Sequence, residues 1–305
     1  MNFLDEIKNL KEQIKSKDKF DINFNFDNIV ISGMGGSGIV GNIFQEYYTS
    51  IPVISIGDYG IPGFVNEKTL FIVVSYSGNT EETLSNVEDA KKKGAHVRAI
   101  TSGGKLATIV EKSIIIPSGI QPRSALGYML MPLFNTFAPI DDAIVNQTYG
   151  ILDDMDKNHS DIKSEAFKIY ENSSIPIIYG SKPFKSVAYR WKTQFNENAK
   201  TFAFYSYFPE LNHNDTMPLK SAYRRDEYLF YAFESDNARI NQRIGITEEI
   251  TGEQFTVVKS PSQDYFSKLF YLIHYADYLT YELALVRNVD PTDVSTIEEL
   301  KKKLA

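Results

Sequence analysis

Residues 31–38 read ISGMGGSG and close a short β-branched run, NIVISG (28–33), with Gly33, Gly35 and Gly38 at the spacing G-x-G-x-x-G. A strand that turns through glycines into a helix leaves free backbone N–H groups at the helix start, where they accept an anion. Further runs of the same kind follow at PVISIG (52–57), LFIVVSYS (70–77), HVRAIT (96–101) and SIIIPSG (113–119). The segments between them are rich in Glu, Lys and Ala. One of them, TEETLSNVEDAKKKG (80–94), ends on glycine as helices often do. Strands alternating with helices predict an α/β fold built on a parallel, doubly wound sheet.

The rhythm breaks at a polar stretch, DDMDKNHSDIKSE (153–165), and restarts at IPIIYGS (175–181), KTFAFYS (200–206), EYLFYAFES (227–235) and QFTVVKS (254–260). This predicts two α/β domains of similar construction, 1–152 and 153–305, without an internal repeat at the level of residues. A chain of 305 residues also exceeds the roughly 250–300 at which single cores stop growing. The most apolar segment, YFSKLFYLIHYADYLTYELALV (265–286), is interrupted by Lys268, His274, Asp277 and Glu282. A membrane span needs about 20 largely uncharged residues, so a buried amphipathic helix is expected instead. The first twenty residues mix charge with helix-spaced apolar positions, unlike a signal peptide, and the expected location is cytoplasmic. A last short charged helix is expected in VSTIEELKKKLA (294–305).

The formal net charge of -7 argues against nucleic acid as a partner, since neutralising phosphates takes clustered Lys and Arg. With no cysteine, a thiolate nucleophile, a disulfide framework and a Cys-ligated zinc are excluded. Asp58 follows Gly38 by 20 residues, at the end of the next run, where an acidic residue would meet a ribose hydroxyl. On that feature the first loop reads as a nicotinamide dinucleotide site, and a tight structural turn is the alternative. No Lys-Ser or Lys-Thr pair follows Gly38, so a P-loop is not indicated. The second loop, SYSGNTEET (75–83), sets Ser75, Ser77, Thr80 and Thr83 beside Gly78 and Asn79. Hydroxyls and N–H groups at a helix start suit a phosphomonoester. The bland alternative is an Asn or Thr cap with Glu81 and Glu82 in the first helical turn.

Taken together, GMGGSGIVG (33–41) and SYSGNTEETL (75–84) resemble the sugar isomerase (SIS) domain, which binds phosphosugars. Nearly the whole chain is similar to the archaeal-type bifunctional phosphoglucose/phosphomannose isomerase family, through QPRSALGY (121–128), FNENAK (195–200), ELNHND (210–215) and DPTDVSTIEELKKKL (290–304). The resemblance implies two doubly wound, flavodoxin-like SIS domains with mainly parallel sheets flanked by helices. It also implies a homodimer with active sites near the interface, and no cofactor or metal. The implied reaction is reversible isomerisation of glucose 6-phosphate and mannose 6-phosphate with fructose 6-phosphate.

By the same resemblance, Glu197 is the base that moves a proton between C2 and C1. His213 opens the sugar ring, reaching into the partner subunit's site, and Lys301 assists, with the register among lysines 301–303 open. Arg123 stabilises the enediolate charge. Ser75, Ser77 and Thr80 grip phosphate, while the Gly36 backbone and the Ser37 side chain meet sugar hydroxyls. A threonine tied to mannose 6-phosphate activity is Thr292 or Thr296. The other histidines fall in a strand (His96), in the polar connector (His159) and inside the apolar helix (His274). The spacing of Glu210, His213 and Asp215 matches no recognised metal site. Two competing functions remain: a phosphosugar-sensing SIS protein that keeps both loops but needs neither Glu197 nor His213, and the dinucleotide-dependent oxidoreductase.

Overall fold

The computed structural model describes residues 2–221 and 223–304. The chain folds as two compact units, one of Lys8–Gly150 and one of Asn2–Ile7 with the residues from 151 onward. The first helix, α1 (Phe3–Lys8), thus falls almost wholly with the second unit, apart from the chain that follows it. There Phe3 and Ile7 are buried, and the Phe3 ring lies 6.2 Å from that of Tyr281. This departs from a division at 152 alone.

The first unit is a five-stranded parallel sheet of β1 (Asn28–Ser32), β2 (Val53–Ile56), β3 (Thr69–Val74), β4 (His96–Thr101) and β5 (Ser113–Ile115). Its order is β2-β1-β3-β4-β5, with Val30 opposite both Ile54 and Phe71. This is the flavodoxin-like order, whose direction of winding reverses between the first and third strands. Leu70, Phe71, Ile72, Val73 and Val74 are all fully buried, as expected of a parallel strand covered on both faces. The helices are α2 (Leu10–Gln13), α3 (Gly35–Tyr47), α4 (Glu81–Lys92), α5 (Gly104–Ile109) and α6 (Leu126–Phe137). Val87 and Ala90 of α4 join Val30, Phe71, Val73 and Leu106 in one core cluster, while α3 and α6 meet through Phe44 and Phe134.

The second unit repeats the plan with four parallel strands, β6 (Ile175–Ser181), β7 (Phe204–Phe208), β8 (Tyr228–Phe233) and β9 (Phe255–Val258), in the order β7-β6-β8-β9. Its helices are α7 (Asp142–Lys157, which begins in the first unit), α8 (Ser160–Glu171), α9 (Lys185–Glu197), α10 (Thr216–Ser221), α11 (Ala238–Thr251), α12 (Tyr265–Val286) and α13 (Ser295–Leu304). The polar stretch at 153–165 is helical apart from Asn158 and His159. It reads as a linker because its outward positions are charged, while Ile162, Ala166 and Ile169 of α8 bury the other face. Strand β7 begins at Phe204, four residues after the run that suggested it, because Lys200 has a left-handed backbone (φ 51) that no strand adopts.

The apolar helix α12 is buried on nearly every side, and each of its charged or histidine residues has a partner. Asp277 accepts from Arg190 Nη2 at 2.8 and 3.0 Å and from Gln194 at 2.6 Å. His274 Nε2 lies 2.8 Å from Asp156, Glu282 lies 3.3 Å from His159 Nε2, and Lys268 meets Asp236. Buried polar groups require such pairing. Trp191, fully buried, donates its indole N–H to the Leu272 carbonyl at 2.9 Å. Among the described residues no helix is long and apolar enough to cross a membrane.

Candidate active site

In an open parallel sheet, ligands bind beyond the carboxyl ends of the strands where the winding reverses, here between β1 and β3. The loop 33–36 leaves β1 and the loop 75–80 leaves β3, and each opens a helix, α3 and α4 respectively. The two loops are joined. Ser37 Oγ accepts the Tyr76 backbone N–H at 3.2 Å and points its own hydrogen toward Met129 Sδ at 3.5 Å. Ser37 is thus buried and engaged by protein, and Gly35 and Gly36 supply the orphan N–H groups at the start of α3.

Gly36 also brings this turn against the segment that carries Arg123. A Cβ built at Gly36 would stand 3.3 Å from the Arg123 Cα, tighter than ordinary contact. Arg123 lies in a short 3-10 turn (Pro122–Ala125), is buried, and donates from Nη1 to Gln121 Oε1 at 3.2 Å.

Thr80 occupies the cap position of α4 in extended conformation, yet its side chain caps nothing. Its hydroxyl pairs with that of Ser75 at 3.1 Å instead. Ser77 is exposed and accepts the Asn79 N–H at 3.3 Å. A hydroxyl has one donor and two acceptor positions, so the Ser77 O–H and one of the Ser75/Thr80 pair stay available to donate. The side-chain cap of the bland alternative is absent, although Glu81 and Glu82 do occupy the first turn of α4, and an uncapped helix start with hydroxyl donors suits an anion. Gly78 is required here. Its φ is +67, and a Cβ would fall 1.9 Å from the Gly103 carbonyl oxygen. The first unit therefore brings together Gly36, Ser37, Ser75, Ser77, Thr80 and Arg123.

In the second unit, Glu197 is the last residue of α9 and is half-buried. Thr292 lies between α12 and α13, where its hydroxyl and backbone N–H both donate to Asp290 Oδ1, at 2.7 and 2.8 Å. Those two bonds hold the Asp290 carboxyl below its ordinary range. Thr292 thus has a fixed hydroxyl, while Thr296 is exposed on α13. The Lys200 ammonium donates to the Glu197 carbonyl at 2.6 Å and the Asp293 carbonyl at 2.8 Å, which links the α9 end to the Thr292 turn. Lys301 is exposed on α13, two residues from each member of the Lys303–Glu299 ion pair.

His213 ends a short 3-10 turn (Glu210–His213) beyond β7, is exposed, and has no side-chain hydrogen bond or ion pair among the described residues. Nearby, a cavity of about 410 Å³ opens on the sheet face, lined by Tyr179, Phe204, Asp215, Tyr228, Phe230 and Glu253 among others. Burial raises the Asp215 carboxyl. Its one lining cation among the described residues, Arg225, is taken up by Glu253, which leaves aromatic walls and the Asp215 carboxyl, and none of the expected site residues lines this cavity.

The sequence reading missed three residues that organise these groups. Tyr76 joins the first loop through its N–H, accepts Ser102 Oγ at its carbonyl (2.6 Å), and accepts the Ile120 N–H at its hydroxyl (3.2 Å). Asp290 aims Thr292, and Lys200 ties two carbonyls. No spacing rule marks Tyr76 or Lys200. An Asp two residues before a Thr after a helix is an Asx-turn signal that points to Asp290 alone.

Residues 24–131 match the family model described as SIS domain, and residues 158–304 match the one described as bacterial phospho-glucose isomerase C-terminal SIS domain. The chain is 55% identical over 305 residues to a bifunctional phosphoglucose/phosphomannose isomerase of Thermoplasma volcanium, covering 100% of both chains. It is 32% identical over 224 residues to a D-glucosamine-6-phosphate 4-epimerase of Sulfolobus acidocaldarius, covering 69% of each. Among solved structures, the tagatose-6-phosphate ketose/aldose isomerase of Escherichia coli superposes with a TM-score of 0.69 at 18% identity, covering 94% of this chain and 88% of that one. That likeness concerns the fold.

Proposed function

The chain belongs to the bifunctional phosphoglucose/phosphomannose isomerase family, and on that premise we propose how it works. It is an aldose-ketose isomerase that interconverts fructose 6-phosphate with glucose 6-phosphate and mannose 6-phosphate. The observation that carries this reading is full-length identity of 55% to an isomerase of that name. The crevice between β1 and β3 supports it, since the loop after β3 adds the Ser75, Ser77 and Thr80 hydroxyls to the glycine turn. The G-x-G-x-x-G spacing is met, yet it serves an SIS domain and not an NAD-dependent oxidoreductase.

In this reading Ser75, Ser77 and Thr80 hold the phosphate at the start of α4, and the Gly36 backbone meets sugar hydroxyls. His213, assisted by Lys301, moves the protons that open the ring. Glu197 then takes the proton from C2 of the aldose. The C2–H electron pair becomes the C1=C2 bond, and the carbonyl oxygen on C1 takes the negative charge, which the Arg123 guanidinium offsets. The C2 hydroxyl proton then passes to O1, and as its O–H electron pair forms the new carbonyl at C2 the C1=C2 pair takes the proton back from Glu197 at C1, which gives the ketose. Thr292 fixes a water that lets the enediol present its other face, which leads to the mannose epimer.

We further propose a homodimer in which His213 serves the partner subunit's site. Two features support this: the His213 ring has no partner among the described residues of its own chain, and the adjoining edge strand β7 exposes Phe204, Tyr205 and Tyr207. A cytoplasmic location follows from the charge that confines sugar phosphates within the membrane. The test is to incubate chelator-treated protein with fructose 6-phosphate and measure both aldose phosphates. Both are expected, and failure to form either sinks the isomerase reading.

A further inference from the structure

Two turns of the second unit hold one another by their carbonyl groups. Arg287, at the end of α12, donates from Nη1 to the carbonyls of Ala199 (2.7 Å) and Lys200 (2.9 Å) and to the Thr201 hydroxyl. Lys200 reaches the opposite way, from the turn after α9 to the carbonyls of Glu197 and Asp293. Beneath them Asn198 donates to the Thr280 hydroxyl at 2.9 Å, wholly buried. Lys200 itself has φ 51, a backbone conformation uncommon for a residue with a side chain. Such a conformation persists where the surroundings over-determine it, and these bonds do so.

We propose that Lys200 is a positioning residue for the isomerisation: its ammonium sets the α9 end that carries Glu197 against the Asp290–Asp293 turn that aims Thr292. The inference rests on the reading of Glu197 as base and Thr292 as the mannose determinant, and deepens it. An ammonium bonded to a carbonyl is a charge-assisted contact, roughly twice as strong as a neutral one. Two of the three Lys200 donors are directed at main chain, so it acts through its neighbours. Asp290 and Thr292 bond within their own turn, the Arg287 guanidinium holds the Ala199–Thr201 turn, and the Lys200 ammonium spans directly from the Glu197 carbonyl at the helix end to the Asp293 carbonyl.

Geometry of this kind is sensitive. A misplacement of about 1 Å at a reacting group costs about 10²-fold in rate. Loosening the clamp affects Glu197 in both reactions and Thr292 only in the one that forms mannose 6-phosphate. The two products therefore decline unequally. A role confined to stability would lower the folded fraction and reduce both products in proportion.

The experiment measures initial rates of formation of both aldose phosphates from fructose 6-phosphate, with full-length wild type, Lys200→Met and Glu197→Gln. Lys200→Met is expected to lower glucose 6-phosphate formation about 10-fold and mannose 6-phosphate formation about 100-fold, a roughly 10-fold change in product ratio. An unchanged ratio in cooperatively melting protein overturns the inference. Should Lys200→Met not fold, Lys200→Gln, which keeps a neutral donor, is read by the same ratio: a shift supports the inference and a constant ratio overturns it. A wild type that makes neither product, or a Glu197→Gln variant of full activity, overturns the underlying reading and the inference together. An active wild type, a silenced Glu197→Gln and an unaltered ratio in the Lys200 variant overturn the inference alone.

Discussion

The two sheets share one winding order, yet their crevices are furnished in opposite ways. Beyond β1 and β3 stand glycines and hydroxyls, and neither α3 nor α4 has a side-chain cap. Beyond β6 stands Phe184, buried and stacked on Tyr265 at 5.2 Å. Beyond β8 come Glu234, paired with Lys259 at 3.2 Å, and Asp236, paired with Lys268. The start of α11 is closed by its own Asn237, which accepts the Arg239 N–H at 2.9 Å. An anion finds donors in the first crevice. In the second it finds an aromatic ring before α9, two lysine-paired carboxylates and a capped α11, although α9 is as uncapped as α4 and α4 itself carries Glu81 and Glu82 in its first turn. Strand order alone therefore does not make a phosphate site, and the second unit carries its candidate chemistry elsewhere, at the C-terminal end of α9 and in the loop after α12.

This contrast is open to attack at three points. The largest effect is expected where the second unit relies on buried charge. Arg190→Met leaves Asp277 buried without its cation, a loss of about 3–5 kcal/mol. Denaturant unfolding measures it, and Arg190→Met with Asp277→Leu together should recover most of the loss. A single variant as stable as wild type would show that the pair contributes little.

Next, Ser77→Asp gives the first crevice the charge of the second. Ser77 is exposed, so the fold should survive, while the KM for fructose 6-phosphate should rise about 10²-fold, from two like charges a few ångströms apart in partly screened surroundings. An unaltered KM would move the phosphate away from this loop.

The smallest effect concerns Glu165, whose carboxyl burial pushes above its ordinary value, offset in part by the neighbouring Tyr231 and Tyr275 hydroxyls. The Tyr275 hydroxyl lies 2.5 Å away. The folded chain keeps a proton that the unfolded chain releases, so this group's contribution is full below the unfolded carboxyl pKa. It is lost as pH rises through the higher folded value. Glu165→Gln should remove that decline and raise the melting temperature at neutral pH by about 2 °C relative to wild type. An identical slope of melting temperature against pH in both proteins would place the titration elsewhere.

Much of this was legible in the sequence, for physical reasons. Parallel strands buried on both faces read as unbroken β-branched runs, so LFIVV and NIVIS announce themselves, and the glycine-and-hydroxyl loops lie where the sequence spacing puts them, at the ends of β1 and β3. What stayed hidden depends on side chains meeting across long separations. Nothing near Lys200 predicts a bond to Asp293, and Tyr76 looks like one more apolar residue inside a serine loop. The stretch 153–165 misled because an amphipathic helix with a strongly charged outer face has the composition of a linker.

The placement of α1 bears on how the chain comes to be folded in the first place. Phe3 and Ile7 are synthesised before the first unit, but they are buried with the unit that holds Tyr281. At about 5–20 residues per second, the roughly 280 residues between Phe3 and Tyr281 take on the order of tens of seconds to appear. Through that interval the nascent chain carries a sticky apolar segment past a first unit that has all its own strands, and that segment's burial waits for Tyr281 to appear.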